Sequence, residues 1–80
     1  MPDTRLIQIR DIAASVFSAT PKAVEDAESF VDDLEADSLL AIELLAQLEQ
    51  RLDIAIPEAD AYRMINLEST YAVVSEAAGW

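Results

Sequence analysis

Ser38 is the residue of this sequence that is best placed to do chemistry. It follows an acidic segment, residues 25–37, and precedes an apolar segment whose periodicity predicts a helix. A hydroxyl at a helix N-terminus can carry a phosphodiester, because free backbone N–H groups and the helix dipole stabilise its negative charge. No His occurs in the chain and no Lys lies near Ser38, so a base to activate it is missing. Two interpretations remain open from the residues alone: a modification site, or a serine that only caps the helix.

The absence of histidine also removes the commonest metal ligand and any Ser-His-Asp arrangement. Calcium is the alternative suggested by the acidic segment, which holds seven acidic residues and no base: Glu25, Asp26, Glu28, Asp32, Asp33, Glu35 and Asp37. An EF-hand loop needs Gly at its sixth position, and the only Gly here is Gly79. We therefore predict no dedicated metal site, only loose association with divalent ions.

Composition narrows the function further. The chain has 80 residues, of which 52% are hydrophobic, and 16 acidic against 5 basic residues give a net charge of -11. Such a chain is too apolar for a disordered tail and too acidic to bind nucleic acid. At this length folding buries only about 60% of the surface, which leaves little room for an enclosed active site. We expect one domain spanning residues 1–80, monomeric and without enzymatic activity, that binds proteins with basic surfaces.

Targeting signals are not evident. The segment Met1–Thr20 includes Asp3, Arg5, Arg10 and Asp11, which the apolar region of a signal peptide would not tolerate. No run approaches the roughly 18 apolar residues that a membrane span needs, and no Cys suggests an oxidising compartment. We therefore expect a soluble, cytoplasmic protein.

Two segments precede Ser38. Apolar residues at spacings of three and four predict a first helix from Thr4 to Ser18: Leu6, Ile9, Ile12, Ala13, Val16 and Phe17. Thr20-Pro21 interrupts this pattern, and a short turn is expected at Pro21–Val24. Residues 25–37 show little periodicity and predict a long solvated loop, with Phe30 and Leu34 as its main apolar contacts.

The second helix is predicted from Ser38 to Leu52, with Asp37 as its N-cap. Its apolar surface is broader than a helix facing one core requires. One stripe suits the core: Leu44, Leu45, Leu48 and Leu52. A second stripe, which consists of Leu39, Ile42 and Ala46, either meets another part of the core or faces a partner. Glu49 falls inside the apolar side.

Two further helices follow. Residues Glu58–Ile65 suit a short helix after Ile56-Pro57, and Asn66 is a suitable N-cap for a last helix over Leu67–Ala78. The buried face of that last helix is predicted to hold Tyr71, Val73, Val74 and Ala77. The expected fold is all-α, a four-helix bundle with a long first loop and a short third helix.

The attachment-site motif of acyl carrier proteins closely resembles the run Phe30-Val31-Asp32-Asp33-Leu34-Glu35-Ala36-Asp37-Ser38-Leu39, centred on Asp37-Ser38-Leu39. Discrete bacterial carriers also have equivalents of Glu43-Leu44, Leu48-Glu49 and Ile56-Pro57, so the resemblance covers nearly the whole chain. It implies that a phosphopantetheinyl transferase attaches a 4'-phosphopantetheine arm from coenzyme A to Ser38. The thiol of that arm would carry acyl thioesters between an acyltransferase, a ketosynthase or other acyl-processing enzymes.

The same resemblance implies a docking face formed by the acidic loop and the second helix. Six residues receive partner-docking roles: Asp37, Leu39, Leu40, Ile42, Glu43 and Ala46. Asp37 and Glu43 would meet basic residues of the partner, while the second apolar stripe would supply contact area. Carriers of primary fatty-acid synthesis typically have an acidic residue at the place of Leu40, which makes Leu40 a candidate for partner selection.

Further differences from the carriers of primary fatty-acid synthesis indicate the pathway in which this chain acts. Primary fatty-acid carriers typically have Gly where this chain has Glu35, and a more acidic third helix than one with Ala59, Tyr62 and Arg63. The run Ala41-Ile42-Glu43-Leu44 is similar to the Ala-Val-Glu-Leu run common in polyketide synthase carriers. These features favour a stand-alone carrier of polyketide or related secondary metabolism. The alternatives are a housekeeping fatty-acid carrier, a peptidyl or aminoacyl carrier, and an acidic helical adaptor that lost the modification.

Overall fold

A computed structural model describes residues 4–80. Asp3, one of the four charged residues that disfavour a signal peptide, lies outside the described residues. The described residues are helical with no strand. The elements are α1 (Thr4–Phe17), α2 (Pro21–Asp26), α3 (Phe30–Asp33), α4 (Ser38–Leu52), the 3-10 helix η1 (Glu58–Arg63) and α5 (Leu67–Ala78). Four of them, α1, α4, η1 and α5, are the helices of the predicted bundle. No helix within residues 4–80 is long and apolar enough to cross a membrane.

The first connection is more ordered than the sequence predicts. The expected turn at Pro21–Val24 is part of the six-residue helix α2, which begins at Pro21. Thr20 caps this helix, because its hydroxyl accepts the Ala23 N–H at 3.1 Å. The expected loop contains α3, which Ser29 caps by accepting the Asp32 N–H at 3.4 Å. Helices of one turn are too short to show a periodic apolar pattern, so the sequence pattern could not reveal α3.

Small apolar residues anchor this connection. Ala27 and Ala36 are buried beside Phe30, whose ring lies 4.8 Å from that of Phe17 in α1. The carboxylate of Asp33 accepts the backbone N–H of Glu28 at 2.8 Å and of Ser29 at 3.2 Å. The acidic segment is therefore partly built into the fold, rather than a wholly solvated loop.

The core lies between α1, α4 and α5. Leu44, Leu45 and Leu48 of α4 are buried, and Leu52 is half-buried against the same core. Other buried residues include Ile9, Ile12, Ala13, Val24, Phe30, Val73 and Val74. The predicted α5 positions Tyr71 and Ala77 are half-buried, while Leu67 and Thr70 are buried instead. Thr70 is tolerated because its hydroxyl donates to the Asn66 carbonyl at 2.7 Å.

Capping groups set the helix limits that matter for the site. Asp37 caps α4, as predicted, by accepting the Leu40 N–H at 3.0 Å. Asn66 caps α5 through a capping box with Ser69, in which each side chain accepts the other's backbone N–H. The predicted short helix Glu58–Ile65 is η1, which ends at Arg63, two residues earlier.

Candidate functional site

Ser38 is the first residue of α4, and its side chain is exposed. Asp37, not Ser38, supplies the cap, because the Asp37 Oδ1 atom accepts the Leu40 N–H at 3.0 Å. The Ser38 hydroxyl makes no hydrogen bond within the described part of the chain. The interpretation of Ser38 as the residue that caps α4 is therefore wrong, and its hydroxyl has no hydrogen-bond partner within residues 4–80.

The segment before α4 holds Ser38 at the surface. Phe30 is buried and donates its N–H to the Ile65 carbonyl at 2.7 Å, while the Ala36 N–H donates to the Phe30 carbonyl at 3.1 Å. Glu35 adopts a left-handed backbone with φ of 55°, where the chain turns from α3 toward α4. These anchors fix the direction in which the chain enters α4, and thereby the position of Ser38.

A groove of about 270 Å³ opens beside Ser38. Its polar lining consists of Ser29, Asp37 and Ser38. The rest of the lining is apolar and includes Tyr62, which is 77% exposed. The apolar lining comes from α3, α4, η1 and the residues after η1: Val31, Ala41, Ala61, Tyr62, Met64 and Ile65. The groove therefore offers apolar contacts to a chain that extends from the Ser38 hydroxyl.

The exposed members of this apolar lining were missed by the sequence interpretation. Val31, Tyr62 and Ile65 are all large apolar side chains exposed at the surface. An apolar residue directly precedes each of the three in the sequence, so the sequence gives no signal that marks them as surface residues. No periodicity connects α3 with η1, so only the tertiary structure brings these three residues together.

The site can hold a negatively charged phosphodiester. The first N–H groups of a helix have no intrahelical partner, and the positive dipole end of the 15-residue α4 lies at Ser38. Asp37 uses the Leu40 N–H and adds a negative charge nearby, which offsets part of this stabilisation. No side chain within residues 4–80 hydrogen bonds the Ser38 hydroxyl as a base, so activation must come from outside these residues.

The six predicted docking residues differ in exposure. Leu39 is 75% exposed and Ile42 is 39% exposed, so these two members of the second apolar stripe of α4 face solvent rather than the core. Asp37 and Glu43 are also exposed, and Glu43 accepts a hydrogen bond from Gln47 at 3.4 Å. Ala46 is half-buried. Leu40 is half-buried against the core, which leaves less of it for a partner than the sequence interpretation requires.

Known proteins resemble this chain over nearly its full length. The family model described as "Phosphopantetheine attachment site" matches residues 8–74. The chain belongs to the acyl carrier protein family. Members of this family carry 4'-phosphopantetheine as a covalently attached group. The exposed serine, the helix N-terminus and the apolar groove of this carrier fit such a group.

Two curated relatives and one solved structure indicate how close the carrier is to known members. It is 41% identical over 71 residues to the polyketide-8 synthase acyl carrier protein 1 of Streptomyces avermitilis, covering 89% of this chain and 84% of the relative. It is 37% identical over 70 residues to an acyl carrier protein of Brachyspira hyodysenteriae, covering 86% and 90%. A chain of the solved structure described as the ishigamide ketosynthase/chain length factor superposes with a TM-score of 0.81 at 38% identity, covering 99% and 100%.

Proposed function

We propose that Ser38 is the residue to which the 4'-phosphopantetheine group is attached. The supporting observation is an exposed hydroxyl, free of intramolecular hydrogen bonds, at the first position of α4 and beside an apolar groove. In this reaction the Ser38 Oγ atom attacks the pantetheine-bearing phosphorus of coenzyme A. A Ser–O–P bond forms, the pyrophosphate bond breaks, and adenosine 3',5'-bisphosphate leaves. A base of the phosphopantetheinyl transferase accepts the hydroxyl proton.

The loaded carrier would present its thioester to partner enzymes through the exposed face of α4. Leu39 and Ile42 supply apolar contact area on this face, and Asp37 and Glu43 supply negative charge. Leu40 and Ala46 take a smaller part, because both are half-buried. The carrier itself contributes attachment and presentation, and its partners contribute the catalytic groups.

A role in polyketide or related secondary metabolism is the favoured pathway. Support comes from the two polyketide-8 synthase acyl carrier proteins of Streptomyces avermitilis, which are 41% and 31% identical to this chain. The likeness to a chain in the ketosynthase/chain length factor structure suggests a ketosynthase as one partner. Relatives described only as acyl carrier proteins keep fatty-acid synthesis as the second candidate.

The same proposal includes the organisation of the protein. Residues 1–80 form one carrier domain that acts as a monomer, since its high net charge of -11 disfavours self-association. Its proposed place of action is the cytoplasm.

The attachment site is tested by intact mass after incubation with coenzyme A and a promiscuous phosphopantetheinyl transferase. The wild-type chain should gain one phosphopantetheine, and Ser38→Ala should remain folded and gain nothing. Ser29→Ala is the matched control, because Ser29 lines the same groove but lies in the preceding segment; it should still gain the group. Modification of the folded Ser38→Ala variant would contradict the assignment.

The pathway is tested separately with the loaded protein. Transfer and extension of malonyl groups are compared between a ketosynthase/chain length factor pair and the condensing enzymes of fatty-acid synthesis. We expect a higher kcat/KM with the first pair. Equal or higher turnover with the second set would assign the carrier to fatty-acid synthesis.

A further inference from the structure

The helix η1 packs against α4 and α5 through few buried side chains. Within Glu58–Arg63 only Ala61 is buried, and the following Met64 is the next buried side chain. Pro57, which precedes the helix, supplies no side-chain cap. The hydrogen bonds of a 3-10 helix have poorer geometry than those of an α-helix, so such a segment stays in place only through outside contacts.

Both ends of this segment are anchored. At its start, the carboxylate of Glu49 in α4 accepts the Ile56 N–H at 3.2 Å, and Ile56 is buried. At its end, Ile65 accepts the Phe30 N–H at 2.7 Å and donates its own N–H to the Ser69 hydroxyl at 2.9 Å. The residues between these anchors form one wall of the groove beside Ser38.

The side chain of Arg63 connects η1 to α5. Its Nη2 atom donates to the Glu76 carboxylate of α5 at 2.6 Å, and its Nη1 atom lies 3.5 Å from Asp60 within η1. The hydrogen bond to Glu76 raises the pKa of Arg63, whose guanidinium is charged at neutral pH in any case. A stabilisation that accompanies a raised pKa is lost only as the pH rises through that raised value.

We propose that Arg63 is a positioning residue that holds η1 against α5 and thereby keeps the groove wall beside Ser38 in place. Without the pair, the wall retains the buried contacts of Ala61 and Met64 and the anchors at Ile56 and Ile65. The side chains of Arg63 and Glu76 are 51% and 60% exposed, so their attraction is modest and is screened by salt. The wall therefore opens locally, and more often at higher ionic strength.

Amide hydrogen exchange of the apo-protein at low salt tests this role. Arg63→Gln and Glu76→Gln should each lower the protection factor of the Met64 amide by about two- to fivefold, as for loss of an exposed ion pair. The double variant should fall no further, and Arg63→Lys should recover part of the protection. The wild-type protection at Met64 should approach that of Arg63→Gln when the salt concentration is raised to about 1 M, where the Debye length is about 3 Å.

Two controls separate a local effect from a general loss of stability. Lys22→Gln removes one positive charge, as Arg63→Gln does, and breaks another exposed ion pair, in which Lys22 lies 3.4 Å from Asp26. This variant should leave the protection factor of the Met64 amide unchanged. The Ile9 amide in α1 should exchange equally in all variants. Unchanged protection of Met64 in Arg63→Gln, an equal loss at Ile9, or an additive double variant would overturn the proposal. The importance of the wall for cargo depends on the proposed function, but this measurement needs no attached group and stands if modification at Ser38 fails.

Discussion

Neighbouring leucines at the start of α4 have different surroundings. Leu39 is 75% exposed, whereas Leu40 is half-buried and packs against the core. Successive residues of a helix are about 100° apart, so one leucine can face solvent while the next touches the core. The structure thus separates a surface role for Leu39 from a partly structural role for Leu40.

Alanine substitutions should show this difference. Leu39→Ala should change the free energy of unfolding by less than about 0.5 kcal/mol, as for most surface substitutions. Leu40→Ala should lower it by about 1–2 kcal/mol, because complete burial of a leucine is worth about 1.5–3 kcal/mol. Denaturant unfolding measures both values.

Transfer kinetics complete the comparison. Leu39→Ala should lower the kcat/KM of phosphopantetheine loading about fivefold, which corresponds to about 1 kcal/mol of lost apolar contact. A large loss of stability in Leu39→Ala, with normal loading, would assign Leu39 to the fold instead of the docking face.

Glu49 shows how a charged residue can belong on the apolar side of a helix. On α4 it falls among apolar positions, as the sequence pattern indicates, and the structure leaves it half-buried with its carboxylate accepting the Ile56 N–H at 3.2 Å. A half-buried backbone N–H needs an acceptor, and Glu49 provides one from the neighbouring helix. The charged residue therefore belongs on that side for a structural reason that the sequence pattern does not contain.

At the scale of elements, Asn66 connects two parts of the fold. Its side-chain oxygen accepts the Ser69 N–H at 2.9 Å and caps α5, while its amide nitrogen donates to the Glu28 carbonyl at 3.2 Å. One side chain thus fixes the start of α5 and ties it to the connection that precedes α3.

Replacing Asn66 should separate these two roles. Asn66→Ala should lower the free energy of unfolding by about 1 kcal/mol through loss of the cap, or about 4–8 °C in Tm for a domain of this size. Asn66→Asp keeps the accepting oxygen and loses only the donor to Glu28, so its Tm should fall less. Thermal unfolding monitored by circular dichroism measures both, and equal losses would show that the cap contributes little.

At the scale of the whole molecule, charge repulsion is the dominant electrostatic feature. With 16 acidic and 5 basic residues, most carboxylates cannot have a basic partner. Arg10 nevertheless bridges α1 and α2 through Glu25 at 2.7 Å, and Lys22 lies 3.4 Å from Asp26. These contacts relieve repulsion at the start of the acidic segment, whereas its later carboxylates have no basic partner among residues 4–80.

Added ions should therefore raise the Tm of the apo-protein, because screening weakens repulsion between like charges. No group of three or more potential metal-ligating side chains occurs among residues 4–80. Magnesium chloride and sodium chloride at equal ionic strength should then give similar increases. A much larger increase with magnesium would indicate specific binding, and a Tm that stays flat or falls would contradict the role of repulsion.

The sequence alone determined the helices whose information is local. Periodic apolar residues define α1, α4 and α5 over several turns, and the capping residues Asp37 and Asn66 mark where two of them begin. The motif around Ser38, joined to Ile56-Pro57, the acidity and the chain length, indicated the carrier family without the structure.

Only the tertiary structure decided which surfaces these elements present. The one-turn helix α3 carries no detectable period, and its position depends on Phe30 packing against Phe17. The groove beside Ser38 joins Val31 to Tyr62, which are distant in sequence. Whether an apolar residue such as Leu39 is core or surface depends on what packs against it, and that is a property of the assembled helices rather than of any one segment.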